Sequence, residues 1–216
     1  VTYLSPDHQL VMALVEHIFD EDEDFGGRRG VKVLPFLDQP GIVFNYRIAF
    51  EDGASEILRE ELCPVYVDSP TQQAERTLGQ RVLDGTALDT RPDRSALQSL
   101  RDQRDALKES AETYLSQTVR RIRTDLSEDR QRRTERELQR LDDYAAAERT
   151  RLQSFIEEYQ EQQEAGADME IAIRGQEKRL QNLEARIQER KENVREKGRV
   201  VSLAPELVNL CYAHPA

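Results

Sequence analysis

The chain has 216 residues, of which 38% are hydrophobic, 34% are charged and only 6% are aromatic, and its formal net charge at pH 7 is −11. So few core-forming residues predict that part of the chain is extended rather than globular. The charge is unevenly divided, because residues 1–70 hold 5 Lys and Arg against 14 Asp and Glu, whereas residues 71–216 hold 26 against 28. No run reaches the ~20 apolar residues that a membrane-spanning helix needs, so the sequence predicts no such helix.

The numbers of cysteine and lysine residues indicate the cellular compartment in which we expect the protein. Cys63 and Cys211 lie far apart, with no His or Cys at metal-ligand spacing, so neither a zinc site nor a disulfide framework is indicated. No signal peptide opens the sequence, and a cytoplasmic location is expected. Lysine is scarce among the basic residues, which fits either a salt-adapted, halophilic cytosol or an Arg-rich genome bias. Because the sequence starts at Val1 without an initiator Met, we expect a fragment of a longer protein.

Residues 1–90 predict a small α+β body. An N-cap serine, a first-turn proline and an aspartate predict a helix over 6–20. Three strand-like runs follow, over 31–37, 41–50 and 56–68, and a further helix is predicted over 70–85. The dipeptide Asp52-Gly53 between the second and third strands is favoured in hairpin turns. These signals predict a small antiparallel sheet with a covering helix.

Residues 91–198 predict a long antiparallel coiled-coil hairpin inserted into this body. From 94 to 163 the sequence has no Pro and no Gly and consists mostly of strong helix formers. Apolar residues repeat every seven positions on both sides of Gly166, and a reversal near 165–168 brings the two repeats face to face. The predicted seam consists of Leu138, Ala145, Leu152, Tyr159, Ile173, Leu180, Ile187 and Val194.

An earlier apolar stripe, Leu97–Leu126, has no intrachain partner helix of matching length. It must pack on the sheet body, on a second copy as a homodimer, or on a missing part of the parent protein. The polar residues 127–137 leave open whether the helix runs straight or bends. Strands within 199–216 are predicted to return to the sheet of the body, because an antiparallel hairpin brings its exit back toward its entry.

The sequence offers no catalytic constellation. The segment around Arg28 and Arg29 lacks the Lys and the following Ser or Thr of a phosphate-binding loop. His8, His17 and His214 are too scattered to form a ligand set. We therefore predict no catalytic, cofactor-binding or metal-ligating residue, and we do not expect this fragment to be an enzyme.

Arginine-rich segments are the candidates for nucleic-acid contact, since guanidinium groups pair bidentately with phosphate. Acidic residues interleave with them, so ion pairs along a solvated helix explain the same arginines. Both interpretations stay open for the candidate residues, which are Arg28, Arg29, Arg120, Arg121, Arg123, Arg132 and Arg133.

The order of the segments YLSPDHQLVMALVEHIF and GIVFNYRIAFEDGASEILREELCPVYVD resembles the region after the second helicase lobe in bacterial and archaeal Swi/Snf-type helicases of the RapA/HepA kind. The segment PELVNLCYAHP is similar to the closing strand of that region, so the resemblance covers residues 1–68 and about 199–215. It implies a parent that uses ATP and Mg to move along duplex DNA or to remodel a nucleic-acid complex. Every ATPase motif would lie upstream of Val1.

The resemblance gives the expected function, which is a non-catalytic accessory domain of such a helicase. Its coiled-coil arm would contact a protein partner or DNA. The alternative is a structural or oligomerisation coiled-coil module unrelated to helicases.

Overall fold

The computed structural model describes residues 29–90 and 92–216. The predicted helix over 6–20, with His8 and His17, lies outside the described residues, as does Arg28. Arg29 is described through its backbone only.

The described residues form one six-stranded sheet and four helices, which gives the predicted α+β class with a helical hairpin. The elements in chain order are β1 Arg29–Leu34, β2 Gly41–Asp52, β3 Ile57–Asp68, β4 Ala74–Glu75, α1 Arg76–Asp84, α2 Arg94–Asp102, α3 Arg104–Glu164, α4 Glu170–Lys197, β5 Val200–Ser202 and β6 Glu206–Pro215.

The sheet has the strand order β1-β6-β2-β3-β4, with β5 beside the end of β2. The predicted antiparallel sheet contains one parallel pairing, because β6 inserts between β1 and β2 and runs parallel to β1. The first strand also begins and ends earlier than the predicted 31–37. The backbone N–H of Leu37 donates to the carbonyl of Leu34 at 3.3 Å and closes a turn there.

The predicted helix over 70–85 begins only at Arg76. The Asp68 carboxylate accepts from the backbone N–H of Thr71 at 3.0 Å, and the Asp68 carbonyl accepts from that of Gln72 at 2.8 Å. Gln72 has a φ of 55°, which no helix tolerates, so the chain turns and then pairs β4 with the end of β3 before α1 starts. Local turn hydrogen bonds therefore outweigh helix propensity over 70–75.

Contacts between residues divide the chain into two units, of which the first contains residues 29–49, 59–90, 92–121 and 203–216. We call it the sheet unit. One side of its core joins the sheet to α1 through Val43, Tyr66, Cys211 and Val82. The Lys32 ammonium donates to the carbonyls of Val82, Leu83 and Gly85 at 3.0, 2.7 and 3.1 Å. These carbonyls end a helix and lack intrahelical partners, so the lysine caps α1 and fixes it to β1.

Much of the early apolar stripe is buried within the sheet unit. Leu100 of α2 and Leu107, Ala111 and Leu115 of α3 are buried in a single chain. The hydroxyl of Ser69 donates to Gln103 Oε1 at 2.9 Å, at the break between α2 and α3. A homodimer through Leu97–Leu126 stays a prediction, although most of the apolar surface it would use is covered here.

The second unit contains residues 50–58 and 122–202, and we call it the hairpin unit. Helix α3 continues without a break through 127–137 and ends at Glu164, and α4 begins at Glu170. Gly166 has a φ of 98°, a conformation that favours glycine, and its backbone N–H donates to Gln163 at 3.0 Å. The chain therefore reverses between the two helices.

The seam between α3 and α4 has the predicted antiparallel register. Ala145, Leu152, Leu183 and Ile187 form one buried cluster, and Leu141 and Leu180 pack against it. The outer seam positions Leu138, Tyr159, Ile173 and Val194 are half-buried. Apolar side chains of both helices are thus removed from water only because the helices lie against each other.

Candidate nucleic-acid interface

The two flanks of the hairpin seam carry different charge patterns. Asp142 and Arg149 of α3 lie on one flank, where the Lys191 ammonium contacts the Asp142 carboxylate and Arg149 Nε lies 3.4 Å from Glu184 Oε1. These two pairs are one heptad apart on both helices and in opposite chain order, as antiparallel packing requires. Complementary charges across a seam are usual in coiled coils. We call this flank the paired edge.

The opposite flank, which we call the arginine edge, begins with an open groove of about 480 Å³. This base groove lies between residues 130–137 of α3 and 186–198 of α4. It is lined by the carboxylates Glu137 and Glu189 and by five cationic side chains, Arg130, Arg133, Arg186, Arg190 and Lys197. Cations therefore outnumber carboxylates here, on a chain whose net charge is −11.

Few of the cations in the base groove are neutralised. Arg133 lies 2.9 Å from Asp129, and Lys197 lies 3.0 Å from Glu56. The hydrogen bond to Glu56 holds the pKa of Lys197 above its ordinary value, whereas the nearby charge of Arg130 lowers it. Among the described residues, no carboxylate lies within ion-pair distance of Arg130, Arg186 or Arg190. The groove is thus a place where positive charges from two helices meet.

The same pattern continues along the arginine edge toward the reversal. A middle groove is lined by Arg136 and Arg140 together with Arg133, Arg190 and the carboxylate Glu137 of the base groove. An upper groove is lined by Arg151, Arg179, Arg186 and Asn182. Its carboxylate, Glu148, lies 3.4 Å from Arg151. Arginines of both helices therefore line the same grooves on this edge, whereas the paired edge joins opposite charges.

Helical periodicity explains why these side chains share a flank. Residues three, four and seven positions apart lie on the same side of an α-helix. Arg179, Arg186 and Arg190 follow this spacing on α4, and so do Arg133 and Arg140 on α3, where Arg151 lies eleven residues, or about three turns, further on. At the end of α4, a Cβ on Gly198 would contact the hydroxyl of Thr134, so glycine permits the close approach of the two helices at the base groove.

Of the five predicted contact residues whose side chains are described, one lines this interface. Arg120, Arg121 and Arg123 are exposed on α3 and do not line the grooves. Arg132 and Arg133 lie 4.0 and 2.9 Å from Asp129, in the local ion pairs that were the other interpretation, and Arg133 also lines the base groove. Arg130, Arg136 and Arg140 lie in the arginine-rich segment 130–140 but were not among the named candidates, and sequence reasoning missed Arg151, Arg179, Arg186 and Arg190. Applying the reversal at Gly166 to the arginines as well as to the apolar residues would have found them.

Four titratable side chains of the sheet unit have pKa values that burial raises. Burial raises the pKa of Tyr46, Tyr66, Cys63 and Cys211, which favours their neutral forms. The Tyr66 hydroxyl donates to the carbonyl of Gln39 at 2.7 Å, which is a structural hydrogen bond. Within residues 29–90 and 92–216, no group of three or more His, Cys, Asp and Glu side chains is arranged to hold a metal ion. In the same residues, no helix combines the length and apolar character needed to cross a membrane.

Comparison with known proteins does not identify a family for this chain. No protein-family model matches the sequence, and no curated protein or solved structure is significantly similar to it.

Proposed function

We propose that the chain is a non-catalytic accessory domain of a cytoplasmic, ATP-dependent Swi/Snf-type helicase, and that its helical hairpin docks on the phosphate backbone of nucleic acid. The observation that carries the docking proposal is the contrast between the two edges of one seam. The sequence resemblance of the flanking segments supports the helicase parent.

The arginine edge has the charge pattern of a surface that binds an anionic ligand. Like charges facing across a helix pair destabilise it, and the paired edge shows that this sequence places opposite charges across the same seam. An anionic ligand between the arginines removes the repulsion and gains charge-assisted hydrogen bonds. Because the cations are spread over both helices, the ligand that neutralises them must carry several charges.

The residues that line the edge also indicate the kind of contact. Phosphate groups are bound by arginine in planar, bidentate geometry, whereas base recognition in single strands relies on stacking on aromatic rings. None of the residues lining the base, middle and upper grooves is aromatic. The proposed contact is therefore with the phosphate backbone rather than with stacked, unpaired bases.

Replacing Arg130 and Arg190 by glutamine tests the docking proposal. Each lost phosphate contact lowers affinity on the order of tenfold at ~0.1 M salt and lowers the slope of log K against log salt by about 0.9. We expect the double variant to show both losses in fluorescence anisotropy titrations of the 216-residue chain with a labelled duplex of mixed sequence, over a series of NaCl concentrations.

The matched control is Arg149→Gln with Lys191→Gln, which removes the same charge from the paired edge. We expect this control to retain nearly all of the affinity of the unmodified chain. Equal losses of affinity in both variants would mean that binding depends on the net charge of the chain and not on the arginine edge. If the unmodified chain does not bind the duplex, the docking proposal is wrong. If the chain binds an acidic protein and not the duplex, the partner of the arginine edge is a protein and not nucleic acid.

A further inference from the structure

We infer that the nucleic acid lies along the hairpin, from the base groove to Arg151 and Arg179, rather than crossing the helices at the base groove alone. This inference rests on the proposed function, and it adds the path of the ligand and the residues that position its far end.

The three grooves of the arginine edge form one continuous track. The base and middle grooves share Arg133 and Arg190, and the base and upper grooves share Arg186. A ligand bound to Arg186 therefore contacts the lining of both the base groove and the upper groove. No described side chain outside the hairpin unit lines any of the three grooves.

The track is long enough for a short stretch of duplex and carries excess positive charge. Arg133 and Arg151 are eighteen residues apart on one continuous helix, which gives ~27 Å at ~1.5 Å per residue. That length matches roughly eight base pairs at ~3.4 Å per pair. The three grooves together contain nine cationic side chains and three carboxylates, and one of these carboxylates, Glu148, is paired with Arg151. Positive charge is thus present along the whole distance.

The residues beyond Arg151 set the end of the track. From 152 to 173 the sequence contains no Lys or Arg, whereas residues 157–170 contain six carboxylates. A phosphate backbone is repelled by this end of the hairpin and attracted by the other. The charge gradient along the helices therefore defines where an aligned ligand stops, which is at the upper groove.

The test replaces Arg151 and Arg179 by glutamine, far from the base groove. If the duplex lies along the hairpin, the slope of log K against log salt falls by about two, with an affinity loss on the order of tenfold per arginine at ~0.1 M salt. The loss adds to that of Arg130→Gln with Arg190→Gln, because the two pairs contact different phosphates. Arg151→Lys with Arg179→Lys keeps the charge and restores the slope. Far-UV circular dichroism checks that each variant keeps its helices.

The outcomes separate this inference from the proposed function. If Arg151→Gln with Arg179→Gln binds with unchanged slope while Arg130→Gln with Arg190→Gln loses affinity, the duplex crosses at the base groove. The inference then fails and the docking proposal stands. If the unmodified chain does not bind the duplex, both fail.

Discussion

Replacing Gly79 by alanine is expected to destabilise the sheet unit by about 2–3 kcal/mol, although alanine is intrinsically the better helix former by about 1 kcal/mol. A Cβ at this position would lie 2.5 Å from the carbonyl oxygen of Pro64 and 2.9 Å from the backbone nitrogen of Tyr66. Both atoms belong to the backbone of β3, so no side chain can rotate away. Helix α1 must instead shift from the sheet, which disturbs the packing of the fully buried Val82.

The measurement is urea denaturation followed by circular dichroism, and Gly175→Ala is the matched control. Gly175 lies within α4, and a Cβ there meets no atom within 4 Å. The same substitution should therefore stabilise the protein by about 0.5–1 kcal/mol through helix propensity alone. Effects of the same sign at both positions would contradict the close contact between α1 and β3.

Replacing Ile187 by aspartate is expected to separate α4 from α3, at a cost of at least about 3 kcal/mol. Ile187 is 9% exposed and belongs to the only buried cluster that joins the two helices among the described residues of the hairpin unit. The charge would be placed among Ala145, Leu152 and Leu183. An isolated helix is marginal in water, so α4 should lose helicity together with its packing. Hydrogen exchange of the α4 amides measures this loss directly.

Ile171→Asp provides the same chemical change on the same helix. Ile171 is 86% exposed and lies in the first turn of α4, where a carboxylate interacts favourably with the helix dipole. We expect no loss of stability for this variant. Protection of the α4 amides that survives Ile187→Asp would mean that the helix does not depend on the seam.

The hairpin was predictable because its information is periodic and local. Two heptad repeats on either side of one glycine leave a single register in which both apolar stripes are covered, and the buried cluster of Ala145, Leu152, Leu183 and Ile187 has that register. The polar residues 127–137 had left open whether the helix bends, and α3 runs through them without a break. In such segments the pattern of neighbouring residues largely determines the structure.

The sheet was less predictable because strand order depends on contacts between distant residues. Nothing near β1 indicates that β6, more than 150 residues later, inserts between β1 and β2. The start of α1 depends on the turn hydrogen bonds of Asp68, and the position of Gly79 against Pro64 requires the packed helix. Neither the composition nor the periodicity of the sequence predicts these interactions.

The arginine edge could have been inferred from the sequence, but only by a second step. The arginines of α3 were assessed on their own helix, where local ion pairs explain them, as Arg132 and Arg133 show. Their meeting with Arg186 and Arg190 follows from the antiparallel register, which applies to every residue of the seam. Charge on a surface is therefore informative only after the partner helix is placed.

The register of the two helices supports both the arginine edge and the docking proposal, and crosslinking tests it most directly. Cysteines are placed at four positions in two matched pairings, Asp142 with Lys191 and Arg149 with Glu184, and joined by a short bis-maleimide. The native Cys63 and Cys211 are buried and do not compete. We predict efficient crosslinks in these pairings and none when the same positions are exchanged, 142 with 184 and 149 with 191, since one heptad shifts them by ~10 Å. Crosslinks in the exchanged pairings alone would contradict the structure and the interface built on it.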